Sequence, residues 1–149
     1  LPETPAYWRP ALFFRDSQTG WISGPEGRMD YTGDGGLTWE RRDLPTRQMV
    51  MALWFDPVGR GFAGLNNQDF HHPLQALCDT LDSGKHWRMV PGMDGQKHVS
   101  SLFGLGPTAL WAVGDVPGYV PNDLVLLLRL PPLRATPPAP AATSQGNKP

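Results

Sequence analysis

Thr32-Gly33-Asp34-Gly35-Gly36-Leu37-Thr38-Trp39 recurs 48 residues later as Thr80-Leu81-Asp82-Ser83-Gly84-Lys85-His86-Trp87. The octets share Thr, Asp, Gly and Trp, and differ where Thr38 becomes His86. These residue types describe a tight turn. An Asp carboxylate accepts backbone N–H bonds across such a turn in the Asx manner. A Gly takes a backbone angle that other residues dislike, and a Trp buries a large apolar area. Each octet is expected to join two strands, with its Trp filling the space between adjacent sheets.

The sequence around each octet repeats as well. Before the first run Ala11-Leu12-Phe13-Phe14, a turn at 16–19, a strand 20–24 opened by Gly20-Trp21, the turn Pro25-Glu26-Gly27 and a strand 28–32. Before the second run Ala52-Leu53-Trp54-Phe55, a turn at 56–60, a strand 61–64 opened by Gly61-Phe62, a longer connection 66–75 and a strand 76–80. The Trp of each octet opens a fourth strand, at 39–42 and 87–90. A third copy has Ser101-Leu102-Phe103-Gly104, a turn at 105–108, a strand 110–114, a loop 115–121 and a strand 123–130, with no octet. Short apolar runs divided by turns of this kind are hairpin chemistry.

The unit is therefore four antiparallel strands in about 40–50 residues, the size of a β-propeller blade. One such blade cannot bury both faces alone, so neighbours must stack. The predicted fold is all-β, a partial β-propeller of four-stranded antiparallel blades over residues 1–130, with a Pro-rich C-terminal tail at 131–149. The blades fall at 11–42, 50–90 and 99–130, with an isolated strand at 7–9. Tyr7-Trp8-Arg9 looks like the fourth strands Trp39-Glu40-Arg41 and Trp87-Arg88-Met89, whereas the third repeat lacks a fourth strand. Unpaired faces and edges invite association. Three blades would crowd the axis, so two chains closing as six blades, a homodimer, or capping by a different subunit is expected. The tail is expected to run as an extended arm over a neighbouring subunit, with Leu133 and Arg134 as anchors.

Composition agrees with strands and turns. The 149 residues include 17 Gly and 17 Pro, well above the average share of about 12% for the pair. Both are poor in helix interiors. Six Trp can build a core. Of the 14 acids only Glu3, Glu26 and Glu40 are Glu, and Asp favours turns. The net charge of −1 carries no nucleic-acid footprint. Cys78 is alone, so no intrachain disulfide can form, and it reads as a small core residue. No apolar run approaches the ~18 residues of a membrane span. The chain opens at Leu1 rather than Met, which fits a removed leader or a cropped form.

Candidate chemistry is sparse. Asp34 and Asp82 could serve acid–base work only on one pocket wall, and equivalent positions in separate blades point apart. Asp69, His71 and His72 are a poor metal chelate, because adjacent residues of an extended chain face opposite ways. His86 and His98 lie in other segments. No metal or other cofactor is expected. Arg9, Arg28, Arg41, Arg42, Arg47, Arg60 and Arg88 sit in no recognisable catalytic motif, and no Gly-x-Ser-x-Gly elbow is present. The connection 66–75 reads as an exposed recognition loop. Asn66, Asp69, His71, His72 and Tyr119 are candidate partner contacts, together with Leu133 and Arg134.

The octet Ser/Thr-x-Asp-x-Gly-x-Thr-Trp is similar to the Asp-box of the BNR repeat. Thr32, Asp34, Gly36, Thr38 and Trp39 match all five positions, and Thr80, Asp82, Gly84 and Trp87 match four. With F-x-D-x-x-x-G-W-x-x-G-x-x-G-x-x-x-x-T ahead of it, the first repeat resembles those of the photosystem II stability and assembly factor family. It resembles sortilin-type and sialidase-type propellers more loosely. Members of the family usually carry about seven blades, so the likeness concerns the repeat unit. It implies a non-catalytic protein-binding module whose octets are structural. Such a module would be an accessory subunit or assembly factor of a membrane-bound photosynthetic or electron-transfer complex, and peripheral on the periplasmic or another extracytoplasmic side. The alternatives are a glycosidase-like propeller fragment and a lectin-like sugar-binding module.

Overall fold

The computed structural model describes residues 10–66, 76–91, 98–106, 109–115 and 126–129. Tyr7–Arg9, Asp69, His71, His72, Tyr119, Leu133 and Arg134 lie outside them, as does the tail. The described residues form eleven strands and no helix. Blade one holds β1 (Leu12–Phe14), β2 (Gly20–Ser23), β3 (Met29–Thr32) and β4 (Glu40–Arg41). Blade two holds β5 (Met49–Phe55), β6 (Gly61–Asn66), β7 (Leu77–Thr80) and β8 (Trp87–Met89). Blade three holds β9 (His98–Gly106), β10 (Ala109–Asp115) and β11 (Leu126–Arg129). Every pairing is antiparallel, and spatial order follows chain order within each sheet. The chain is a partial β-propeller.

The registers show that the three sheets are copies. Phe13 pairs Trp21, Trp54 pairs Phe62, and Phe103 pairs Trp111. In blades one and two these aromatic pairs face the next blade along the chain. The neighbouring positions face the preceding blade in blades two and three, through Leu53, Phe55 and Ala63 and through Leu102, Leu110 and Ala112; Leu12, Phe14 and Ile22 occupy the equivalent positions in blade one. The alternation follows from the two-residue period of a strand.

Two cores result, one in each gap. Trp21, Met29, Leu53, Phe55, Ala63 and Cys78 fill the gap between blades one and two. Trp54, Phe62, Leu77, Val99, Leu110 and Ala112 fill the gap between blades two and three. Blade two is covered on both sides, and that explains its sequence. Met49–Phe55 is a continuous apolar run, as strands buried on both faces tend to be. Gly64 lets β6 come close to β9, since a Cβ there would lie 2.5 Å from Val99 Cγ1.

Several strand boundaries depart from the sequence reading. In the third repeat β9 and β10 run on to Gly106 and Ala109, leaving only residues 107 and 108 between them instead of a four-residue turn. A register shift between Ala109 and Leu110 absorbs the extra pairing. In blade one the fourth strand shrinks to Glu40–Arg41, yet the amide of Arg42 still donates to the Met29 carbonyl (2.7 Å) and that of Leu44 to Gly27 (2.9 Å).

Candidate functional site

The octets join β3 to β4 and β7 to β8. In the first, the Thr32 hydroxyl is the hub. It accepts from the amides of Gly36 (2.8 Å) and Asp34 (3.3 Å) and donates to Asp34 Oδ1 (2.8 Å). Asp34 Oδ1 also accepts from the Thr38 amide (2.9 Å), and Oδ2 accepts from the Thr38 hydroxyl (2.6 Å). The Thr38 side chain, its amide and then the Thr32 hydroxyl lower the Asp34 pKa to about 2. Gly35 and Gly36 both take left-handed angles, at φ 73° and 92°.

The second octet repeats this geometry with one exchange of chemistry. Thr80 Oγ1 accepts from Gly84 (3.0 Å) and Asp82 (3.4 Å) and donates to Asp82 Oδ1 (3.0 Å). His86 stands in the place of Thr38, with its amide 2.9 Å from Asp82 Oδ1 and its Nδ1 2.6 Å from Oδ2. An imidazole N–H thus replaces a hydroxyl. Burial pushes the Asp82 pKa up, but the His86 side chain, its amide and the Thr80 hydroxyl outweigh it and leave the pKa low. Ser83 is left-handed at φ 60°, an unfavourable angle for a residue with a Cβ.

The two octet tryptophans differ in burial. Trp87 is partly buried in the core between blades one and two, edge-on to Phe55 with ring centroids 5.9 Å apart. Trp39 makes the same edge-on contact with Phe14 (6.4 Å) but is exposed, and its Nε1 donates to the Gly36 carbonyl (3.0 Å). It does not fill a gap between sheets, because no described residue covers the Leu12–Phe14 side of blade one.

A second set of residues escaped the sequence reading. The Ser83 carbonyl accepts from Trp21 Nε1 (2.9 Å) and from Arg42 Nη1 (2.7 Å), both in blade one. Arg42 is buried, lies over the Tyr31 ring at 3.5 Å, and bonds Glu40 through Nη2 (2.6 Å). Its guanidinium and then its charge hold the Glu40 pKa low. Asp16 and Asp56 brace the β1–β2 and β5–β6 turns by accepting two backbone amides each, from Gln18 and Thr19 and from Val58 and Arg60. Their signal was present as an Asp one or two residues after Phe14 and Phe55, four or five before a Gly.

Among the candidate partner contacts, only Asn66 is described. It ends β6, half-buried, and its Oδ1 is buried with no hydrogen-bond partner. The structure brings Thr32, Asp34, Gly36 and Thr38 together in one turn and Thr80, Asp82, Gly84 and His86 in another. Each carboxylate is spent on its own turn. Among the described residues no group of three His, Cys, Asp or Glu could hold a metal ion. No helix there is long and apolar enough to cross a membrane.

Neither a family model nor a curated relative matches the chain. The fold matches a solved structure. That structure is described as "YCF48 bound to D1 peptide", with a TM-score of 0.55 and 21% identity, covering 74% of this chain and 36% of that one. The chain therefore spans about a third of the YCF48 chain's length. At this identity the likeness to YCF48 is one of fold.

Proposed function

We propose that the chain is a non-catalytic, protein-binding propeller module, an accessory subunit or assembly factor of a larger complex. The complex is membrane-bound and photosynthetic or electron-transferring, and the module sits at its periphery. The observation that carries the reading is the shared fold with YCF48, a propeller solved with a bound peptide. The resemblance of the first repeat to photosystem II stability and assembly factors supports the same direction. In this reading Thr32, Asp34, Gly36, Thr38 and Trp39, with Thr80, Asp82, Gly84 and Trp87, hold the scaffold and do no chemistry. No metal or other cofactor is assigned. A carboxyl held at a pKa of about 2 stays ionised at neutral pH and has no proton to donate there, unlike a glycosidase acid. Recognition falls to the connection that begins at Asn66.

Fluorescence anisotropy with a labelled D1 peptide and its scrambled control tests this. Saturable binding of the native order alone is expected, together with no turnover of sialosides or glucans. Equal binding of both peptides, or turnover of either glycan, overturns the reading.

A further inference from the structure

The chain has two Asp–Gly pairs, Asp34-Gly35 in the first octet and Asp94-Gly95, which lies outside the described residues. Such a pair is chemically labile. The Gly amide nitrogen can attack the Asp γ-carbon, because Gly has no Cβ to hinder the approach. The N–Cγ bond forms, the carboxyl OH and the amide proton leave as water, and a five-membered succinimide results. Water then opens the ring. Attack at Cγ restores Asp, whereas attack at the α-carbonyl leaves the chain running through the side-chain carbon as isoaspartate. The reaction needs a protonated carboxyl, a free amide and a backbone that lets them meet.

The first octet engages both reactants. The Gly35 amide donates to the Gln18 carbonyl (2.8 Å) in the β1–β2 turn. Asp34 Oδ1 accepts from the Thr32 hydroxyl (2.8 Å) and the Thr38 amide (2.9 Å), and Oδ2 accepts from the Thr38 hydroxyl (2.6 Å). The carboxyl is thereby turned toward Thr38 and, with a pKa of about 2, stays ionised at neutral pH, which leaves no OH to depart as water. Gly35 is also the residue that the turn demands. Its φ is 73°, and a Cβ there would lie 3.0 Å from the Ser17 carbonyl oxygen. The second octet holds Ser83 in this place, where a Cβ obstructs the same attack and the amide donates to the Gly59 carbonyl (2.7 Å).

We propose that Asp34-Gly35 is a latent isoaspartate site: the closed octet blocks succinimide formation, and opening of the turn releases it. The modification then marks the molecules that have opened. Isomerisation adds one carbon to the backbone and removes one from the side chain, so the carboxylate no longer spans from residue 34 to the Thr38 amide and hydroxyl, and the octet cannot close as before. The bonds from Thr38 are exposed, so opening needs only this turn to give way and not the seam between blades one and two. Of the two octets, only that of blade one carries the site.

Peptide mapping by mass spectrometry tests this, following isoaspartate at residue 34 in the tryptic peptide 29–41 while the full chain is incubated at neutral pH in buffer and in urea. Conversion in buffer is expected to be at least about tenfold slower than in urea. Thr38→Ala, with its fold confirmed by circular dichroism, should convert about fivefold faster than the wild type in buffer, as the loss of one hydrogen bond implies. Thr38→Ser keeps the hydroxyl and should stay at the wild-type rate. In urea Asp82-Ser83 should convert far more slowly than Asp34-Gly35. If Thr38→Ala unfolds, the wild type in stepwise urea replaces it, with conversion expected to rise with the unfolded fraction and a flat rate counting against the proposal. Equal wild-type rates in buffer and in urea overturn the proposal. So does a folded Thr38→Ala variant that is no faster than the wild type, or an Asp82 rate in urea that equals that of Asp34.

Discussion

The indole of Trp21 and the ring of Phe55 lie face to face, their centroids 3.7 Å apart and their planes 7° from parallel. One belongs to β2 and the other to β5, so this stack is the centre of the seam between blades one and two. Trp21 is fully buried, and its one polar atom is satisfied by the Ser83 carbonyl. Trp21→Ala should lower unfolding free energy by about 3–5 kcal/mol, the range for emptying a large aromatic site. Trp21→Phe keeps the stack, loses one of the two donors to Ser83, and should cost about 1 kcal/mol from that bond with a smaller packing loss besides. Urea titration of the three proteins measures both, and equal losses would place the stability in the hydrogen bond and not in the stack.

Thr80 offers a test of the octet hub. Its hydroxyl is buried and is the acceptor for the buried Gly84 amide. Thr80→Val preserves shape and leaves that amide without an acceptor, an expected loss of about 1–3 kcal/mol. Thr80→Ser keeps the hydroxyl and should fall well short of that. Thermal unfolding monitored by tryptophan fluorescence separates them, and a Val variant as stable as the wild type would remove Thr80 from its role.

Asp34 predicts an acid dependence with a definite sign. Its folded pKa of about 2 lies below the ordinary 3.8, so the carboxylate stabilises the fold fully above pH 4. That stabilisation is lost as pH falls through 4 toward 2. Carboxyl-detected NMR should place the Asp34 midpoint near 2, and Asp34→Asn should flatten the stability profile over that window. A midpoint at 3.8 or higher would contradict the Thr32 and Thr38 bonds.

Cys78 is buried in the core between blades one and two. Burial first, and then the neighbouring Asp79 charge, push its thiol up to about 12. At pH 8 a disulfide reagent should label it slowly in the native protein and rapidly in urea. Fast native labelling would mean that this seam opens readily.

Much of the fold was legible because it is built from local turns. The octet hydrogen bonds span two to four residues, from Thr32 to Gly36 and from Asp34 to Thr38. A sequence motif can encode contacts of that reach, and even His86 in place of Thr38 keeps the donor that Asp82 needs. The strand order and hairpins follow from the same short spacings. Of the proposed partner contacts, Asn66 alone belongs to the described strands, at the end of β6.

What the sequence could not determine is where each blade finds its neighbour. Trp39 and Trp87 share one octet position and the same edge-on contact, yet one is exposed and the other partly buried in a core. The difference is the sheet lying across from them, and that is a fact of tertiary packing. The bond from Trp21 to Ser83 joins residues 62 apart, and that from Arg42 joins residues 41 apart. No local pattern announces a carbonyl as their shared acceptor, because it becomes one only when blade one stacks on blade two. Turns were set by the sequence through neighbouring residues, and the seams between blades by the stacking that brings distant residues together.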